Sequence, residues 1–154
     1  MFRSELHVVP AQDGEAPTVC VIDDDASVLR ATGRLLISAQ WNVEMFSDPQ
    51  EFLDYAQSNR PPVAVIDVDM PIMNGLEVQE RLREISPATC TVFVSSIADP
   101  AVRERAMNAG ASAYYLKPMD GEELLAAIAH ACGLRKTDPK GDALNRTASA
   151  NRSS

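Results

Sequence analysis

The stretch from Val63 to Gly75 constrains the fold more than any other. Val63, Ala64, Val65 and Ile66 run without polar interruption into Asp67, and Val68, Asp69 and a loop punctuated by Pro71 and Gly75 follow. An apolar run without alternation is what a strand looks like when helices cover both faces of a parallel sheet. Asp67 then emerges at that strand's carboxyl end. In open α/β sheets ligands bind along that edge. The residue on its own still fits either an ordinary loop acid or a functional group.

The rest of the chain repeats a strand-then-helix pattern, five units in all. Thr18 to Ile22 is a β-branched run, and the helix after it carries the stripe Val28, Leu29, Thr32, Leu35, Leu36 and Ala39. Trp41 to Phe46 alternates more weakly and reads as a strand near an edge. Asp48-Pro49 sets an N-cap before a proline at the first helical position, with Phe52, Leu53 and Ala56 inward. Val63 to Asp67 is the third strand, followed by a helix marked by Val78, Leu82 and Ile85. Thr91 to Ser95 is the fourth, and Asp99-Pro100 repeats the cap before a helix with Val102, Ala106 and Ala109 that Gly110 stops. Ala113 to Leu116 is a short fifth strand. Asp120 with Glu123 opens the last helix, with Leu124, Leu125, Ile128 and Cys132 inward. Right-handed crossovers fold such a chain into an α/β, three-layer α/β/α domain around a five-stranded parallel sheet.

A chain of 154 residues has room for one ordinary domain with a real core, and residues 17–133 are its expected extent. Residues 1–16 form an N-terminal extension without the basic and apolar regions of a signal peptide. Residues 134–154 are a polar tail. Both ends are expected to be disordered. No run approaches the length of a membrane span, so a cytoplasmic protein without membrane contact is expected. The formal charge is -8, and residues 17–133, with 17 acids against 8 Lys and Arg, carry -9 of it. An acidic domain argues against direct nucleic-acid binding, which needs a basic face. Cys20, Cys90 and Cys132 form no C-x-x-C pair and read as small buried hydrophobes. His7 and His130 lack sequence neighbours suited to a metal site or a catalytic triad.

Asp23 and Asp24, Asp67, Ser95 and Lys117 each fall at the carboxyl end of a strand, so the fold returns all of them to one edge. Clustered carboxylates raise one another's pKa unless a cation intervenes. Hard oxygen ligands favour Mg²⁺ or Mn²⁺ over zinc. A divalent-metal pocket is therefore expected.

These features in this order resemble the receiver domain of two-component response regulators. The matching residues are Asp23-Asp24 after an apolar strand, Asp67 followed by Met70-Pro71-Ile72-Met73-Asn74-Gly75, Ser95 after Val92-Phe93-Val94, Gly110-Ala111 and Lys117-Pro118. The resemblance implies a flavodoxin-like sheet of order 2-1-3-4-5. It implies that Asp67 accepts a phosphoryl group from a sensor histidine kinase or phosphotransfer protein, as an aspartyl-phosphate in a phosphorelay. Metal would be held by Asp24, Asp67 and the backbone carbonyl of Asp69, with Asp23 acting through a water. Lys117 would contact a phosphoryl oxygen across a cis Lys117-Pro118 bond, whereas alone it would read as a solvated surface lysine. Ser95 and Tyr114 would be the switch pair, remodelling a face of the fourth helix, fifth strand and fifth helix that docks a downstream protein or a second copy. Alone, Ser95 would read as a strand-end hydroxyl capping local backbone, and Tyr114 as half-buried packing. The domain would be a phosphoacceptor with at most weak self-catalysed phosphorylation and dephosphorylation, not an enzyme.

Three residues depart from the family pattern: Ser96 stands for the usual Ala or Gly, Met119 for an aromatic, and Asp69 adds a carboxylate beside the site. They bear on rate, because Asp69 and Ser96 flank the path to the phosphoryl group. About twenty polar residues follow Cys132, too few for a helix-turn-helix module, so a stand-alone receiver is the direct reading and a piece of a longer regulator its rival. Asp67-Val68-Asp69 also fits the D-x-D motif of a haloacid-dehalogenase-like phosphatase, although it sits on the third strand rather than the first. A degenerate receiver acting only as an interaction module is the remaining alternative.

Overall fold

The computed structural model describes residues 17–70 and 73–133. The extensions expected at 1–16 and 134–154 lie outside them, as do Pro71 and Ile72. The elements run β1 Thr18–Ile22, α1 Ala26–Ser38, β2 Asn42–Phe46, α2 Pro49–Asn59, β3 Val63–Asp67, α3 Gly75–Ile85, β4 Cys90–Ser95, α4 Pro100–Asn108, β5 Ala113–Leu116 and α5 Gly121–Ala131. All strand pairs are parallel and the order is β2-β1-β3-β4-β5.

That order divides the helices between the two faces. The three connections from β2 to β5 advance in one direction and, with right-handed crossovers, lay α2, α3 and α4 on one face; the β1-to-β2 connection runs the other way and lays α1 on the opposite face. Strand residues alternate between them. Cys20, Ile22, Ala64, Ile66 and Phe93 pack with Phe52, Leu53, Val78, Leu82 and Ala106. Val19, Val21, Val63, Val65 and Val92 pack with Leu29 and Leu36 of α1 and with Leu124, Leu125 and Ile128 of α5. β3 is buried throughout, which is why its sequence lacks alternation.

The helix starts follow the cap signals. Asp25, Asp48, Asp99 and Asp120 each accept from backbone N–H groups of the first turn, and Asp120 with Glu123 completes a capping box. Asn74 and Glu77 form a second capping box at α3. Gly110 ends α4 with φ +107.

Several expectations need adjustment. Trp41 precedes β2 instead of opening it: its backbone N–H donates to the Leu36 carbonyl, closing α1, and its ring is buried against the α1–α5 face. β2 is an edge strand, as its weak pattern implied. On α1, Gly33 is buried with the Met45 thioether of β2 over it, while Val28, Thr32 and Leu35, and Ala39 at the C-cap, are only half-buried. Cys20 is fully buried, and burial pushes its thiol up to about 12. Cys90 and Cys132 are half-buried, not core residues, because each stands at the end of its element. No helix among the described residues is long and apolar enough to cross a membrane.

Candidate functional site

The parallel ladder continues past the strand ends and carries the candidate side chains to one place. The Asp23 N–H donates to the Phe46 carbonyl at 3.1 Å, the Val68 N–H to the Val94 carbonyl at 3.1 Å, and the Lys117 N–H to the Ser95 carbonyl at 2.8 Å. Ile22 is registered with Ile66, Asp67 with Val94, and Ser95 with Leu116. Asp23, Asp67, Ser95 and Lys117 thus line the carboxyl edge. The strand order reverses between β1 and β3, so Asp23 and Asp67 stand at the crevice this reversal opens.

Asp23 and Asp67 are each 3% exposed. Lys117 Nζ lies 3.3 Å from Asp67 Oδ1 and 3.5 Å from Asp23 Oδ2. Carboxylate oxygens of Asp23, Asp24 and Asp67 all fall within 4.8 Å of one another, with Asp24 exposed at the mouth. The Lys117-Pro118 peptide is cis. Asp25, next in sequence, does not join the cluster; its carboxylate caps α1, while its N–H donates to Asp23 Oδ1 at 2.9 Å.

Burial raises the Asp67 carboxyl above the usual carboxylate range, and the neighbouring Asp23 adds to this. The Asp69 N–H, 3.3 Å from Asp67 Oδ1, and the Lys117 ammonium pull in the opposite direction without cancelling it. For Lys117, burial alone would lower the ammonium, but Asp23 and Asp67 outweigh it and the net direction is upward. Lys117 is therefore a firmly charged counter-ion, and three carboxylates face one ammonium. The remaining negative charge and the hard oxygen donors fit a small divalent cation and do not fit a soft metal.

The other expected residues are placed less simply. Ser95 is wholly buried, and its Oγ accepts from the Ile97 N–H at 2.9 Å, the local backbone cap that a strand-end serine makes. The same hydroxyl lies 3.4 and 3.5 Å from the two carboxylate oxygens of Asp69. Asp69 Oδ2 also accepts from the Ser96 N–H and the Ser96 Oγ, both at 3.1 Å. From the sequence, Asp69 was expected to offer its backbone carbonyl to a metal and to place a carboxylate, with Ser96, beside the site; the hydrogen bonds between the two were not anticipated. The available signal was an acid two positions after Asp67, beside a strand that ends at Ser95 and is followed by Ser96. Tyr114 is only 9% exposed, its ring near Phe93 and its hydroxyl donating to the Ile97 carbonyl at 3.4 Å. Its ring is thus already inward in this structure.

Comparison with known proteins points the same way. The family model described as the response regulator receiver domain matches residues 19–129. The chain is 36% identical to the response regulator protein TodT of Pseudomonas putida over 113 residues, 73% of this chain and 50% of that protein. It is 36% identical to the response regulator MprA of Mycobacterium avium over 125 residues, 81% of this chain and 54% of that protein. The chain therefore spans about half the length of the curated relatives it matches. A solved CheY-like receiver domain from Methanospirillum hungatei superposes with a TM-score of 0.75 at 25% identity, over 80% of this chain and 99% of that one.

Proposed function

Because this chain belongs to the family of response regulator receiver domains, we propose that it serves phosphorelay signalling by accepting a phosphoryl group on Asp67. The observation that carries the assignment is a buried Asp67 carboxylate with Lys117 Nζ at 3.3 Å and the oxygens of Asp23 and Asp24 close by. An Asp67 oxygen attacks phosphorus, the bond from phosphorus to the donor's imidazole nitrogen breaks, and an acyl phosphate forms as the imidazole leaves. The donor is a phosphohistidine on a sensor histidine kinase or phosphotransfer protein.

Asp24, Asp67 and the Asp69 backbone carbonyl would hold Mg²⁺ or Mn²⁺, with Asp23 acting through a coordinated water. The ion supplies charge neutralisation for the transferring group. Lys117 supplies a second, permanent positive charge to a phosphoryl oxygen and holds the Asp67 carboxylate in place beforehand. Ser95 donates to the phosphoryl group, and Tyr114, tied to the same loop through Ile97, reports that event to the surface of α4, β5 and α5. Arg103 and Glu122 are exposed on that surface and Met107 is half-buried in it. It is the face that would meet a downstream protein or a second copy. The D-x-D phosphatase alternative loses its second acid, since the Asp69 carboxylate is engaged by Ser95 and Ser96.

Intact-mass measurement with Mg²⁺ and acetyl phosphate tests the assignment. Wild type gains one hydroxylamine-sensitive phosphoryl group and Asp67→Asn gains none. Equal labelling of the two proteins refutes Asp67 as the acceptor, and no labelling of either leaves the degenerate, interaction-only receiver.

A further inference from the structure

Ser95, the hydroxyl assigned to a phosphoryl group on Asp67, and its neighbour Ser96 already face another carboxylate. Ser95 Oγ has a single proton; its oxygen accepts from the Ile97 N–H at 2.9 Å, and it stands 3.4 and 3.5 Å from the two Asp69 carboxylate oxygens. The Ser96 N–H and hydroxyl converge on the same carboxylate at 3.1 Å. Asp69 follows Asp67 by two residues and its N–H bonds Asp67 Oδ1, while its carboxylate accepts from Ser96 at the start of the β4–α4 loop. One hydroxyl proton shared between two anions serves each weakly, and a carboxylate and a phosphoryl group side by side repel. The loop that holds the carboxylate continues to Ile97, whose carbonyl receives the Tyr114 hydroxyl.

We propose that the Asp69 side chain is an internal competitor for the phosphoryl group: it occupies the Ser95 and Ser96 donors in the unmodified protein and must leave them when Asp67 is loaded. Asp69 is thus a positioning residue that opposes loading and holds the loop, with Tyr114 inward, in an anion-engaged arrangement before any signal arrives. The inference rests on the reading of Asp67 as phosphoacceptor.

The test compares wild type, Asp69→Ala and Asp69→Asn at saturating Mg²⁺ in titrations with beryllofluoride, a phosphoryl mimic. Freeing one charge-assisted donor set should tighten beryllofluoride binding about tenfold in Asp69→Ala, with Asp69→Asn between the two. In the unmodified proteins, the Ser96 amide proton resonance should lie downfield in wild type and move upfield in Asp69→Ala, a change that altered global stability alone would not produce. Equal or weaker beryllofluoride binding by Asp69→Ala, or an unchanged Ser96 resonance, overturns the proposal. Binding by wild type without a change in either variant removes only the role of Asp69. Failure of all three proteins to bind removes the acceptor reading, and this inference with it.

Discussion

Asp67 is held against its own ionisation preference. Burial and the adjoining Asp23 raise its carboxyl pKa in the folded state, and Lys117 offsets this only in part. An acid whose folded pKa is raised contributes stability only while protonated; that contribution is full below the unfolded pKa and is lost as pH rises through the folded one. In a chelating buffer at neutral pH, Asp67→Asn should therefore unfold at a higher temperature than wild type, by a few degrees. The gain should vanish below the unfolded pKa. Thermal scans across pH check this, and a lower Tm for Asp67→Asn at neutral pH would contradict it. Asp23, Asp67 and Lys117 were legible in the sequence because residue type and strand-end position sufficed to bring them together. The Asp69 carboxylate was legible as a neighbour of the site but its bonds were not, because its partners stand at the end of the adjacent strand and are selected by side-chain direction, which spacing does not encode.

At the scale of elements, strands β1, β3 and β5 and the caps at Asp48, Asp99 and Asp120 are where their residues place them. The box of Asn74 and Glu77 carries the same signal, hidden in a stretch that reads as loop. Glycines in helices are harder to interpret, since close approach is invisible in a sequence. A Cβ on Gly75 would meet Val68 Cα at 3.0 Å, the Asp67 carbonyl oxygen at 3.1 Å and Phe93 at 3.1 Å, so α3 begins hard against the strand that carries Asp67. A Cβ on Gly33 would meet the Met45 sulfur at 2.7 Å, but that is a flexible thioether on a half-exposed residue. Gly75→Ala should cost about 1–3 kcal/mol through overpacking. Gly33→Ala should fall within about 1 kcal/mol of wild type, because the better helix former offsets the displaced methionine. Urea unfolding of both variants decides the matter, and a larger loss at Gly33 would reverse the argument.

For the molecule as a whole, strand order follows from chain direction and crossover handedness, which is why the layered architecture could be anticipated from one sequence. What covers each helix could not, and α4 illustrates the difference. Its apolar stripe reads like its neighbours', yet Ala106 is its one buried residue, whereas β3 is buried from end to end. Burial sets how often a segment opens without the rest, so amide hydrogen exchange should be slowest through Val19–Ile22 and Val63–Asp67 and fastest among the helices in α4. Exchange of α4 and β3 with the same opening free energy would rule out this division. On that expectation Asp67, the proposed acceptor, rides on a segment that opens only when everything does, and the helix following the Ser95–Ile97 loop would open on its own more often. A mark written on the first could then be read through the second many times before the protein holding it ever came apart.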